Sequence, residues 1–302
     1  WAAPKCANGY HLLFDAWRQK DIEALVKFHR NHPSVVMWSI GNEVPDQSKP
    51  ESVRYCTELQ DLCHRLDPTR PVTQGLDRLR AALDNGFVKA MDIPVVLIDW
   101  DIVPSPDRSA YDLVGINNFE AGRRVAEHLV AQGARCIRFL TWRNCAYSVA
   151  NRISGVRSVV PYGDRVQVTV NMSDVSAVRK VLSARPHPDA LVCGNDTNAA
   201  RLLVALRKLG KRVPEDICVV GFDDVQHAVL VQPALTTVRQ PCADIARMAF
   251  RLLIERIKDA DLPTRECLLS APLVVRNSTR TGAPDFRSAQ TIQQGKRRSS
   301  KG

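Results

Sequence analysis

Short apolar runs rich in β-branched residues alternate with longer amphipathic stretches along most of this 302-residue chain. The strand-like runs are SVVMWSIGN (34–42), VTQG (72–75), IPVVLID (93–99), YDLVGINN (111–118), CIRFLTW (136–142), RVQVTV (165–170), ALVCGN (190–195) and CVVGF (218–222). Between or after them lie helical stretches at 12–32, 51–67, 77–86, 120–133, 174–184, 197–210 and 242–259. In the first, Leu13, Phe14, Trp17, Ile22, Leu25, Val26 and Phe28 repeat at helical spacing. In the fourth, Val125, Ala126, Leu129 and Val130 form a stripe that Gly133 closes. Strands alternating with helices predict an α/β class built on parallel sheets. Such sheets bind ligands beyond the carboxyl ends of their strands.

Polar residues at those strand ends are therefore the first candidates for a site. Asn42 and Glu43 follow the run at 34–42, Asp99 ends the one at 93–99, Asn195 and Asp196 end 190–195, and Asp223 and Asp224 follow 218–222. Arg152 lies in NRISGVRS, past 136–142. Carboxylates, a carboxamide and a guanidinium form a donor and acceptor set suited to the hydroxyls of a pyranose. Trp100 or Trp142 would stack on the apolar face of its ring. Asp and Asn after a strand also serve as helix caps, and Asn195 and Asp196 before TNAARLL satisfy that reading equally well.

Charge and cysteine usage narrow the class. The formal net charge is +10, but residues 1–92 hold 12 basic and 12 acidic side chains. Residues 93–280 hold 25 and 19, and the last 22 hold 5 and 1. The segment 281–302 reads as a basic, disordered tail rather than a phosphate-binding arm. Nine scattered cysteines with no CxxC pair suit a reduced, cytoplasmic protein without a metal site. No apolar run is long enough to span a membrane.

Two longer strings carry resemblances to known families. RNHPSVVMWSIGNEVPD (30–46) resembles the acid/base motif of glycoside hydrolase family 2, the β-galactosidase and β-glucuronidase group. Its flanks, YHLLFDAWRQKDIEALV, LDPTRPVTQG and NGFVKAMDI, extend the likeness over about 8–93. The resemblance implies a fragment of a (β/α) barrel in which Glu43 is the general acid/base and Asn42 the substrate-binding amide. A retaining glycosidase needs a second carboxylate as nucleophile, and the pattern ends before reaching one. An inactive fragment is therefore expected.

LGKRVPEDICVVGFDDVQHAVLVQPALTTVRQP (209–241) resembles the effector-binding domain of LacI/GalR transcriptional regulators, related to periplasmic sugar-binding proteins. EAGRRVAEHLVAQGARCIRFL, VCGNDTNA and LLSAPLVVRNST are further landmarks between about 93 and 279. The resemblance implies a two-lobed α/β sensor, incomplete in its N-terminal lobe, with ligand contacts at Asp99, Arg152, Asn195 and Asp223. It implies a small-molecule sugar as ligand, no cofactor and a homodimer, with LTTVRQP crossing between lobes. No recognition helix for direct DNA binding is visible.

The expected organisation is thus a family 2 barrel fragment at 1–92, a sensor domain at 93–280 and a tail at 281–302. A seam falls at Asp92–Pro94. The expected function is a sugar-effector-binding module fused to a catalytically incomplete glycosidase fragment. The alternatives are an O-glycosyl hydrolase fragment using Glu43 and a non-functional fusion product.

Overall fold

Parallel strand pairing organises both parts of the chain in this computed structural model. The structure describes residues 3, 6–42, 44–76, 81–82, 88, 94–104, 106–142, 145–160 and 166–280. The chain divides into two units, Trp1–Val95 and Val96–Gly302.

The first unit holds helices α1 (Phe14–His29) and α2 (Glu51–Leu66) with strands β1 (Trp38–Asn42) and β2 (Val72–Gly75). Trp38 pairs with Val72 and Asn42 with Gly75. Phe14, Val26, Trp38, Ile40, Cys56, Leu59 and Val72 form its core. Arg18 clasps the two helices, pairing with Glu58 at 3.2 Å and lying 5.5 Å from the ring centres of Phe14 and Tyr55. Asp67 closes the turn from α2 to β2. It accepts from Trp38 Nε1 at 3.0 Å, Thr69 Oγ1 at 2.5 Å and Arg70 at 2.7 Å. The Thr69 hydroxyl, then Arg70 and Trp38, hold this buried carboxyl well below the usual carboxylate range.

The helical stripe expected over 12–32 is only half used. Phe14 and Val26 are buried, yet Trp17 is 47 % and Phe28 84 % exposed, with Leu13 and Leu25 also outside. Two helices on a two-stranded sheet do not supply enough surface to cover the whole stripe. The predicted helix at 77–86 falls mostly outside the described residues.

The second unit has two sheets. The smaller orders its strands β10–β4–β3, all parallel: β3 (Val96–Ile98), β4 (Asp112–Ile116) and β10 (Glu266–Leu269). The larger runs β11–β9–β8–β7–β5–β6. It comprises β5 (Ile137–Thr141), β6 (Gln167–Thr169), β7 (Ala190–Cys193), β8 (Cys218–Asp223), β9 (Thr236–Arg239) and β11 (Leu273–Val274). Only β11 is antiparallel to its neighbour. The chain therefore passes between sheets three times: after β4, after β9 and after β10.

The helices of this unit are α3 (Asn118–Ala131), α4 (Tyr147–Arg157), α5 (Val175–Ser183), α6 (Asp196–Lys208), α7 (Gln226–Leu230) and α8 (Cys242–Lys258). Asn117 caps α3 through the Glu120 N–H, and Gly133 closes it at φ 84°. A core containing Val114, Ile116, Val125, Leu129, Phe139, Ile153, Val192 and Phe222 runs through both sheets. A second, on the other side of the larger sheet, contains Leu140, Leu191, Leu202, Leu206 and Val219. Cys136, Cys193 and Cys218 are buried in this interior, as their apolar surroundings in the sequence predict.

Two close approaches fix the frame of the site. A Cβ built on Gly122 would run into the Arg152 carbonyl, and one on Gly155 into the Phe119 carbonyl. The α3–α4 crossing thus depends on these two glycines, and it sets Arg152 beside Asn118. Asp112, fully buried at the start of β4, accepts from Arg256 on α8 and Arg265 before β10, with N–O distances of 3.0–3.1 Å. That cluster ties helix α8 to β4 and to the start of β10 in the smaller sheet.

Candidate functional site

Three non-glycine residues have positive φ among the described residues: Asp99 (74°), Asp223 (105°) and Asp224 (56°). Each directly follows or ends a strand. Such conformations cost of order 1–3 kcal/mol apiece and persist where surrounding structure fixes them. Two of the three, Asp99 and Asp223, come from different sheets and meet at one side chain. Gln240, on the crossover after β9, donates through Nε2 to Asp99 Oδ1 at 3.0 Å and reaches Asp223 Oδ1 at 3.5 Å.

Arg152 completes the cluster from α4. Its Nε donates to Asn118 Oδ1 at 2.7 Å and its Nη1 to the Gly194 carbonyl at 2.7 Å. Nη1 also lies 3.6 Å from Asp223 Oδ1, and the guanidinium carbon sits 4.6 Å from the centre of the Phe222 ring. Burial lowers the pKa of this guanidinium, and Asp223, Asp99 and Asp196 oppose the shift. Burial raises the Asp223 carboxyl above its ordinary value; Arg152 and Gln240 pull it back while Asp99 adds to the rise. The result is two carboxylates and one guanidinium held where the chain crosses between the sheets.

The other polar strand-end residues fare differently. Asp196 is fully buried, accepting from Thr237 Oγ1 at 2.6 Å and from the Val225 N–H at 3.0 Å. Burial pushes its carboxyl up to about 6. Asp224 is ion-paired with Arg239 at 2.6 Å and Arg276 at 2.7 Å. Both carboxylates are committed to internal partners. Asn195 does act as a helix cap: its carboxamide oxygen accepts from the Asn198 N–H at 2.9 Å. That leaves its amide N–H groups without a protein partner among the described residues, so capping and ligand donation are compatible.

Asn195 also lines an open cavity of about 610 Å³ with Trp142, Asn171, Met172, Asn198 and Arg201. Trp142 packs against Gly194, where a Cβ would meet its ring at 2.9 Å. The cavity and the charged cluster therefore flank the same Gly194–Asn195 step. Trp100, following Asp99, makes an edge-to-face contact with Tyr147 at the start of α4, with ring centres 6.0 Å apart. These rings are 40 % and 41 % exposed. Gln240, Asn118 and Tyr147 escape the sequence reading, although Gln240 lies in the quoted LTTVRQP crossover and Asn118 ends YDLVGINN.

In the first unit, Asn42 ends β1 opposite Gly75, and a Cβ on Gly75 would strike the Asn42 side chain. Glu43, the expected acid/base, lies outside the described residues, as does the tail 281–302. No group of three or more metal-ligating side chains occurs among the described residues, and no helix there is long and apolar enough to cross a membrane.

Two sheets joined by three crossovers, with polar residues gathered at the crossings, define a two-lobed binding fold. Residues 126–279 match the family model for the periplasmic binding protein-like domain, half of the chain, and the chain belongs to that family. Residues 14–92 match the model for the TIM barrel domain of family 2 glycosyl hydrolases. The HTH-type transcriptional repressor PurR of Vibrio atlanticus is 31 % identical over 214 residues, 68 % of this chain and 61 % of the repressor. The chain thus spans less than two thirds of the length of that curated relative.

Solved structures agree on the fold. A LacI family transcriptional regulator from Enterococcus faecium with bound ribose superposes with a TM-score of 0.59 at 20 % identity, covering 82 % of this chain and 99 % of that one. A periplasmic binding protein/LacI transcriptional regulator from Alkaliphilus metalliredigens, complexed with D-xylulofuranose, gives 0.60 at 20 % identity, covering 80 % and 99 %. The α/β fold is that of LacI-type, periplasmic-binding-protein-like domains.

Proposed function

We propose that the second unit is the effector-binding part of a transcriptional regulator and that its effector is a sugar. Asp99, Arg152 and Asp223 would hold ring hydroxyls, with Asn195 donating from the adjoining cavity and Trp142 or Trp100 stacking on the ring. The observation that carries this reading is the convergence of Asp99 and Asp223, from separate sheets, on Gln240 beside Arg152. A ligand held there would bias the two lobes toward one arrangement, which is how a binding event becomes a regulatory signal. The ribose and D-xylulofuranose bound by two structural relatives point the same way. The test is calorimetry of the full chain against mono- and disaccharides. A saturable sugar response that Asp223→Ala abolishes supports the proposal. No response to any sugar, or one that Asp223→Ala leaves unchanged, sinks it.

A second reading attaches to residues 14–92, where the hydrolase model matches. There Glu43 would protonate a leaving glycosidic oxygen and Asn42 would hold a sugar hydroxyl. We favour an inactive fragment, because the matching segment provides one of the two carboxylates that retaining hydrolysis uses. Turnover of nitrophenyl galactoside or glucuronide that disappears in Glu43→Gln would reverse this ranking.

A further inference from the structure

Helix α1 carries a second apolar ridge that the first unit does not use. Leu13, Trp17, Ala24 and Phe28 recur at spacings that align them along one side of the helix. All four are exposed, while Phe14 and Val26 turn to the core from another side. Single apolar residues on a surface are ordinary, but a ridge running the length of a 16-residue helix is a contact surface without a partner. Two charges, Lys20 and Asp21, interrupt it at its midpoint. Neither has an ion-pair partner among the described residues: Lys20 Nζ lies 5.1 Å from the centre of the Trp17 ring, and Asp21 accepts from the Tyr10 hydroxyl. On the flank, Glu23 and Lys27 pair with each other. Adjacent positions do not face one another on a helix, so Lys20 and Asp21 cannot satisfy each other within one chain.

We propose that this ridge is a contact between two copies of the chain, whose α1 helices pack antiparallel about a two-fold axis passing between Lys20 and Asp21. In that register Leu13 lies opposite Phe28 and Trp17 opposite Ala24, so each ring meets a smaller side chain. Lys20 of each copy meets Asp21 of the other, and the symmetry makes this pair twice. Parallel pairing would instead set Lys20 against Lys20, Asp21 against Asp21 and Trp17 against Trp17, with like charges opposed and Ala24 facing only Ala24. This complementarity of charge and size commits the ridge to a second copy. A lipid surface, the other partner for Trp, Phe and Lys on one helix, is disfavoured by an acidic residue at the centre of the ridge. Four turns of helix extend about 24 Å, so the contact is small among specific interfaces and the pairing depends on concentration. The inference does not depend on the sugar-binding reading.

The experiment is sedimentation equilibrium on the full chain over a concentration series, with thermal melts to confirm that each variant is folded. At high concentration the parent is expected to reach about twice the mass of the double variant Trp17→Glu/Phe28→Glu. Association through any other surface is common to both and cancels in the comparison. Lys20→Asp and Asp21→Lys, which place like charges across the axis, are each expected to weaken the pairing at least about tenfold. The combined variant Lys20→Asp/Asp21→Lys restores opposite charges and should regain the parent's mass. Equal masses for the parent and Trp17→Glu/Phe28→Glu at every concentration overturn the proposal. So do single charge variants without effect, or a combined variant no better than either single one. Flotation with phosphatidylcholine/phosphatidylserine vesicles tests the other occupant. Vesicle binding that Trp17→Glu/Phe28→Glu abolishes, with no mass difference in solution, assigns the ridge to a lipid surface and overturns the pairing.

Discussion

Asp196, Asp223 and Asp224 lie close together in the fold, yet their carboxylates carry different burdens. Asp196 is buried against Thr237 and the Val225 N–H, and its pKa rises from 3.8 to about 6. A carboxyl whose pKa is raised in the folded state binds its proton more tightly there than in the unfolded chain. Its contribution to stability is therefore greatest below about pH 4, declines as pH rises through about 6 and is flat above. The loss is on the order of 3 kcal/mol. Urea unfolding between pH 4 and pH 7 should show this decline, and Asp196→Asn should flatten it. A variant with the same slope as the parent would refute the assignment. Asp224, by contrast, is held below the usual carboxylate range: burial alone would raise it, but Arg239 and Arg276 outweigh that. Gln240 is the residue whose loss should act on binding rather than on folding. Gln240→Leu leaves Asp99 and Asp223 without their shared donor, and about tenfold weaker sugar binding with a nearly unchanged melting temperature is expected.

At the scale of elements, the α3–α4 crossing controls where Arg152 sits. Gly155→Ala would force a methyl into the Phe119 carbonyl, so the helices must separate. Overpacking of this kind costs about 1–3 kcal/mol, and the displaced Arg152 should weaken ligand binding as well. A melting curve and a sugar titration on the same variant check both effects. The smaller sheet depends on a charge cluster instead. Asp112→Ala would leave Arg256 and Arg265 without their buried acceptor, at a cost of about 3 kcal/mol, read as a lower urea midpoint. Most elements were legible in the sequence: the strands from β3 to β8 coincide with the apolar runs, and α3, α5, α6 and α8 with the amphipathic stretches, to within three residues at their starts and ends. Helix α4 was not. Its polar NRISGVRS carries a weak stripe, and what holds it helical is contact with α3 through Gly122 and Gly155. Strands β9, β10 and β11 were also missed as strands; in β9, Thr236 and Thr237 are polar residues whose partners are the distant Ser278 and Asp196 rather than local neighbours.

For the molecule as a whole, the three crossovers make the second unit a pair of lobes with the charged cluster between them. Trp100 and Tyr147 meet across the same division. A ligand that shifts one lobe against the other should change the environment of Trp100. The expected result is a sugar-dependent change in tryptophan fluorescence that Trp100→Phe removes while calorimetric binding persists. A signal undiminished in that variant would place the reporter elsewhere. The first unit is organised differently. Its short parallel sheet leaves Trp17 and Phe28 on the surface, and its likeness to a barrel domain extends over 14–92 only.

Read alone, the sequence determined the α/β class, the positions of most strands and the short set of polar residues at their ends. Those follow from local periodicity and composition, which act within a few residues. It could not decide which aspartates remain available to a ligand. Asp196 and Asp224 are equally well placed at strand ends, and only long-range partners, Thr237 for one and Arg276 for the other, take them out of use. Nor could it show that Gln240 joins Asp99 to Asp223, residues 141 and 17 positions away. Hydrogen bonds and ion pairs depend on distances set by the packed sheets, so the tertiary structure alone separated the carboxylates that hold the fold together from those left to hold a ligand.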